Sequence, residues 1–383
     1  MTATKKKILI LTERSLHNGP RIIREIEALK NDFQLFATGR TAPLDNKIHY
    51  FSYTSVNPLP IKILNAIGRK LFVYKLTSRV LEIHPTIEKF ILKHKFDIVI
   101  IHEPGFLPFL IKLKKKWNFK IVYNAHEYQP LEFDHNPDWL NKFGRYNYAL
   151  YKMGMPHVDL LINVCDGIAL KCQEEFEKTS LIIPNAAFFS NIPIVNNSGP
   201  IRMIYHGGIL MNRKIEEMIK VAAILGPSYQ LDIMAVVQPA QEQYYKTLQV
   251  LANEAGNVNF VEPVPYAEIT PFINQYDLGL YLLASDNFND RHALPNKLFE
   301  FIQAKLAIAI SPSPEMKKVV EKYQLGVVAD DFTPQNLASK IAQLTREDIY
   351  QFKQNAVMAS AQESAEHYSQ AYLQAVKQLA GEH

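Results

Sequence analysis

Cysteine is nearly absent: the 383 residues include only Cys165 and Cys172. This pair makes neither a disulfide framework nor a zinc spacing, which fits a reducing, cytoplasmic compartment and two packed core thiols. Long apolar runs are lacking too. Stretches such as 106–111 and 307–310 fall far short of the roughly 20 residues of a spanning helix, so no transmembrane segment is predicted. Lysines 5–7 followed by apolar residues 8–11 look superficially like a signal peptide, but the run stops at Thr12-Glu13 and no small-residue cleavage site follows. We read it as a first buried strand. There is no Gly-x-Gly-x-x-Gly in a βα loop, which disfavours a nicotinamide dehydrogenase. Walker-type phosphate loops and His-Glu-x-x-His helices are missing, so no metal site and no cofactor are expected. No fixed-period repeat and no low-complexity tract is present.

What the chain does have is an ordinary globular composition, with 48% hydrophobic and 21% charged residues and 15 glycines. Its length suggests two domains, each able to bury a core. The net charge of +4 hides an asymmetry: residues 1–125 hold 22 Lys and Arg against 9 Asp and Glu, leaving 20 against 29 for the remainder. A basic N-terminal half attracts anionic lipid, nucleic acid or phosphorylated acceptors. Scattered charges on solvated helix faces would give the same count.

Strand-like runs at 8–11, 33–37, 98–101, 120–123 and 160–164 alternate with helical stretches, the pattern of a parallel sheet covered by helices. In the first helix, Ile22, Ile26 and Leu29 share a face behind Asn18-Gly19-Pro20, with proline suited to the first turn. Residues 185–200 lapse into a polar, Pro- and Asn-containing stretch that reads as a linker. A second βα series follows, with strands at 201–205, 231–237, 258–261, 278–282, 307–310 and 327–328. Its first helix is expected from about Asn212, burying Ile215, Met218, Ile219 and Ala222. The predicted fold class is α/β, with two Rossmann-like domains facing a cleft. The domains expected are 1–190, 198–360 and a terminal helix over 361–383. Two such halves would place a cleft between their strand C-termini.

Four groups of residues stand out. In the run from Asn289 to Glu300, a helix starting at Pro295 puts Lys297 and Glu300 one turn apart, with Leu298, Phe301 and Ile302 inward. Free N–H groups and Lys297 would meet phosphates, and Glu300 can accept two hydrogen bonds from a ribose diol. The alternative is a surface ion pair. Second, Gly207 and Gly208 precede Arg213 and Lys214 at a helix start, where small residues admit a ligand and cations oppose the helix dipole. Third, His126 and Glu127 end the strand at 120–123, where α/β sheets place ligands; His102 and Glu103 end another with weaker support, and a lone histidine at a strand end is more often structural. Fourth, residues 60–80 read as a basic amphipathic helix, and 112–117 as a basic-aromatic cluster, able to lie on an anionic membrane surface or to pack within the domain.

These segments resemble, in order and over nearly the whole chain, the GT-B glycosyltransferases of the family 4 type. The resemblance rests on Gly19-Pro20-Arg21, the run from Val122 to Tyr128, Ile183-Pro184-Asn185, Tyr205-His206-Gly207-Gly208, Arg213, and the run from Leu294 to Glu300. It implies transfer of a sugar from a nucleotide-sugar donor to an acceptor hydroxyl, commonly with retention and without a metal. It implies that Glu300 binds the donor ribose and that Arg213 and Lys297 are the diphosphate cations, with Lys214 able to exchange with Arg213. It further implies that His126 reaches the donor sugar, Gly19 approaches the diphosphate, and the terminal helix crosses back to the N-terminal domain. His292 stands where many relatives have a glutamate on the donor sugar; it and Asn296 are taken as donor-side, and Glu127 as acceptor-side. The partners implied are a nucleotide sugar and a glycan or lipid-linked acceptor, with an anionic membrane surface and no nucleic acid. The setting expected is surface polysaccharide or glycoconjugate assembly at the inner face of the membrane. Two other readings share the fold: a nucleotide-sugar epimerase, and a non-catalytic nucleotide- or carbohydrate-binding subunit.

Overall fold

The computed structural model describes residues 5–17, 19–52, 63, 66–68, 85–283 and 287–381. Asn18 and, apart from 63 and 66–68, the amphipathic helix expected over 60–80 lie outside them. The chain forms two compact units.

The first unit comprises Met1–Pro184, Asn287–Asn289 and Tyr368–His383. Its sheet has seven strands in the order β3-β2-β1-β4-β5-β6-β7. These are β1 (Lys7–Leu11), β2 (Gln34–Thr38), β3 (His49–Tyr50), β4 (Ile98–Ile101), β5 (Lys120–Asn124), β6 (Leu160–Asn163) and β7 (Ser180–Ile182). Every pairing is parallel. Central strands in a parallel sheet are covered on both faces, which is why 8–11 and 98–101 are unbroken aliphatic runs, all fully buried. Helix α1 (Pro20–Leu29) starts on proline after an extended Gly19. It buries Ile22, Ile26 and Leu29 as the spacing predicts, and also Arg21, Arg24 and Glu25. The last helix, Ala365–Ala380, brings Tyr372 and Val376 into the core around Ile8, Ile10, Ile26 and Leu29. Leu373, Leu379 and Ala380 of this helix, half-buried, pack against the same core. The segment 287–289 joins this unit through Asn289, whose amide accepts from the Tyr128 N–H (2.8 Å) and donates to its carbonyl (3.1 Å).

The second unit comprises Asn185–Asp286 and Asp290–His367. Six parallel strands run in the order β10-β9-β8-β11-β12-β13. They are β8 (Ile201–Gly208), β9 (Tyr229–Val236), β10 (Val258–Val261), β11 (Leu278–Tyr281), β12 (Ala307–Ile310) and β13 (Gly326–Val328). Helix α2 (Ile215–Leu225) buries the four predicted positions. It starts later than Asn212, because Met211–Arg213 is a tight 3-10 turn and Lys214 turns left-handed at φ 45°. Helix α3 (Asn296–Gln303) begins one residue after Pro295, which is extended at ψ 155° and serves as its cap. Residues 185–200 carry no strand or helix and are tied to this unit: the Ser190 N–H donates to Gln303 (3.0 Å) and Lys353 to the Val195 carbonyl (2.6 Å). Among the described residues no helix is long and apolar enough to cross a membrane.

Candidate active site

In the second unit the chemistry gathers at the C-terminal end of β8. Gly207 has φ +129°, a backbone that side chains rarely adopt, and a Cβ there would lie 3.1 Å from Lys297 Nζ. The lysine ammonium lies over two rings, 5.3 Å from the centroid of Tyr205 and 4.9 Å from that of Tyr281, so its positive charge meets π-faces. Arg213 Nη1 donates to the Tyr281 hydroxyl at 2.8 Å. Burial, then the nearby guanidinium of Arg213, push Lys297 down to about 7, against the pull of Glu300. Lys297 is hydrogen-bonded to no carboxylate among the described residues.

Glu300 is only 4% exposed, so the surface ion pair weighed for Lys297 and Glu300 does not form. Its Oε2 is 3.3 Å from His206 Nε2. Burial, then Lys297, drive His206 down to about 3, so the imidazole is neutral and this contact is not an ion pair. Of the two cations ahead of α2, Arg213 reaches Tyr281 and acts on Lys297, while Lys214 occupies the left-handed cap. Asn296 opens α3, and a Cβ on Gly208 would meet only the Leu210 side chain, at 3.9 Å. His292 Nδ1 is 3.2 Å from Glu315 Oε1, and so faces a carboxylate.

In the first unit a separate polar cluster occupies the C-terminal ends of β4 and β5. His126 Nε2 is 2.9 Å from His102 Nδ1, and His102 Nε2 is 3.0 Å from Glu25 Oε2. Arg21 Nη1 donates to the Ala125 carbonyl at 3.0 Å, holding the strand end against α1. Glu127 is exposed. Gly19 packs so closely that a Cβ would meet the Ser15 carbonyl at 2.9 Å. Sequence reasoning missed Glu25 and Tyr372, which hydrogen-bond at 2.7 Å. The available signal for Glu25 was a carboxylate beside Ile22, Ile26 and Leu29 on the apolar side of α1. It also missed Glu132, which burial and then Glu127 push up to about 7. Part of the basic-aromatic cluster at 112–117 is engaged within the unit: Lys114 pairs with Asp159, Lys116 with Glu88, and the Trp117 indole donates to the Phe96 carbonyl. No group of three or more His, Cys, Asp or Glu among the described residues is arranged to hold a metal ion.

No curated protein matches the chain in sequence. The family described as Glycosyltransferase Family 4 matches residues 21–186. Among solved structures, sucrose-phosphate synthase from Thermosynechococcus elongatus superposes with a TM-score of 0.74 at 13% identity, over 98% of this chain and all of its own (100%). Anabaena HepE in complex with UDP gives 0.69 at 13% identity, over 97% and 100%. WaaG, a glycosyltransferase involved in lipopolysaccharide biosynthesis, gives 0.68 at 12% identity, over 96% and 99%. The chain has the GT-B fold of these structures, and residues 21–186 match Glycosyltransferase Family 4, the family named by the resemblance read from the sequence.

Proposed function

We propose that the protein transfers a sugar from a nucleoside-diphosphate sugar to a hydroxyl of a glycan or glycolipid acceptor, with retention and without a metal. The observation that carries this reading is the Arg213 and Lys297 pair. Two half-buried cations stand close enough to act on each other, and burial and Arg213 hold the lysine low, at an electrostatic cost, although Glu300 pulls the other way. A diphosphate between them relieves that cost. As the anomeric bond breaks, negative charge grows on the departing diphosphate, and preorganised cations stabilise it more in the transition state than in the ground state. Gly207 and Gly208 let the phosphates approach the backbone, and the first N–H groups of α3 at Asn296 face the same anion. Glu300 accepts from the ribose diol, with His206 beside it neutral. His292, held by Glu315, lies on the donor side, and Glu127 on the acceptor side. His126 and Gly19 serve the sugar and the approach to it. That HepE is described with UDP supports a nucleoside diphosphate as the ligand class. The lipopolysaccharide role of WaaG supports surface-glycan assembly.

The test is nucleoside-diphosphate release from a panel of nucleotide sugars offered with glycan and lipid-linked acceptors. One donor is expected to turn over, and Glu300→Gln to weaken its binding about ten- to a hundredfold, since hydrogen bonds to a charged group contribute about 1.5–3 kcal/mol. Turnover unaffected by Glu300→Gln would remove the ribose role. Peripheral contact with an anionic membrane is part of the proposal, supported by the 22 to 9 excess of basic residues before position 126. Liposome co-sedimentation should then require anionic lipid and fall with salt; equal sedimentation with neutral lipid rejects it.

A further inference from the structure

The chain from Glu25 through His102 to His126 determines which hydrogen bonds His126 can make. Glu25, 3% exposed, is a carboxylate inside the first unit, a position that costs several kcal/mol unless its lone pairs are satisfied. They are satisfied three times. His102 Nε2 lies at 3.0 Å from Oε2, while Oε1 accepts from Asn124 Nδ2 at 3.0 Å and the Tyr372 hydroxyl at 2.7 Å. Burial alone would push this carboxyl up, but His102, Tyr372 and Asn124 together hold it below the ordinary range, so it is ionised and can only accept.

The consequence runs outward through the two rings. His102 is fully buried and meets Glu25 with a proton on Nε2, and a ring carrying that one proton presents a bare Nδ1 to His126. A bare Nδ1 at 2.9 Å from His126 Nε2 needs a proton on that nitrogen. The Nδ1 of His126 is then a lone pair. It is not among the buried polar atoms lacking a partner, and it has no hydrogen bond among the described residues, so it faces accessible space. Burial, then Arg21, His102, Arg14 and Arg24, keep His126 neutral.

We propose that Glu25 and His102 are positioning residues that lock His126 in its Nε2–H tautomer, so that it presents Nδ1 purely as a hydrogen-bond acceptor for a substrate hydroxyl. The tautomer stands on the first unit alone. That the hydroxyl belongs to a sugar rests on the transferase reading. Such a site takes ligands that donate a hydroxyl hydrogen there and discriminates against the deoxy analogue, which leaves a polar nitrogen unmatched.

Glu25→Gln reads the relay. The side of residue 25 that receives two donors favours the amide oxygen, which turns the NH2 toward His102 Nε2 and makes that nitrogen the acceptor. His102 then protonates on Nδ1 and donates to His126 Nε2, and the accessible nitrogen of His126 becomes an N–H donor. The experiment is a histidine side-chain 15N–1H correlation spectrum of the full ligand-free chain at neutral pH, with His126 assigned by its loss in His126→Gln. The native protein is expected to show His126 protonated on Nε2 and bare on Nδ1. Glu25→Gln should reverse this, and Tyr372→Phe, which leaves Asn124 on Oε1, should not. A native His126 protonated on Nδ1 overturns the proposal whether or not the variants fold, and so does a folded Glu25→Gln with unchanged tautomers. In turnover, Glu25→Gln is expected to lower kcat/KM about tenfold or more while nucleoside-diphosphate affinity stays within about twofold. Absence of any turnover in the native chain would contradict the transferase reading and leave the tautomer result to decide this one.

Discussion

Lys297 is held near its midpoint at neutral pH, about 7 against an ordinary 10.5. Between those values the unfolded chain binds more protons than the folded one, so this lysine opposes folding less as pH rises through the window. A bound diphosphate reverses the bias by favouring the charged form. Nucleoside-diphosphate affinity is therefore expected to fall as pH rises above about 7, by up to about tenfold per unit. The binding should take up protons, seen by calorimetry in buffers of different ionisation enthalpy. Lys297→Arg, always charged, should flatten that dependence. At this scale the sequence was informative where a motif names its residues, as in Arg213, Lys297 and Glu300. It was silent on Glu25, whose partners come from β4, β5 and the last helix. A buried carboxylate acquires meaning only from donors that the fold brings from 77, 99 and 347 residues away.

The element that presents Lys297 and Glu300 is α3, and one close contact seats it. A Cβ on Gly279 of β11 would lie 2.4 Å from the Phe301 ring, so strand and helix meet there with no side chain between them. Gly279→Ala overpacks that contact and is expected to destabilise the second unit by about 1–3 kcal/mol. A lowered thermal midpoint by circular dichroism, together with weaker nucleoside-diphosphate binding, checks it; an unchanged midpoint contradicts it. Periodicity found α2 and its four buried positions but not its start, because a left-handed Lys214 has no local signature. The same holds for Asn289, whose amide completes the Tyr128 backbone from 161 residues away.

On the scale of the whole molecule, alternating strands and helices sufficed for two parallel α/β units. The return of residues 368–383 to the first one did not show in the periodicity, since a helix face names no partner. Val376 of that helix is fully buried among residues of β1 and α1. Val376→Asp places an unpaired charge there and should cost at least about 3 kcal/mol. Both tryptophans, Trp117 and Trp139, lie in the first unit, so their fluorescence during urea unfolding reports its loss of stability. An unshifted transition would show that this helix adds nothing to the first unit.

The central claim is that half-buried Arg213 and Lys297 make the second unit a diphosphate site. The most direct measurement is titration of UDP, ADP and GDP into the native chain and into Lys297→Met by isothermal calorimetry. The account predicts that at least one nucleoside diphosphate binds the native protein and that Lys297→Met weakens it about tenfold or more. Equal affinity in the two proteins, or no binding to the native chain by any of the three, would contradict it.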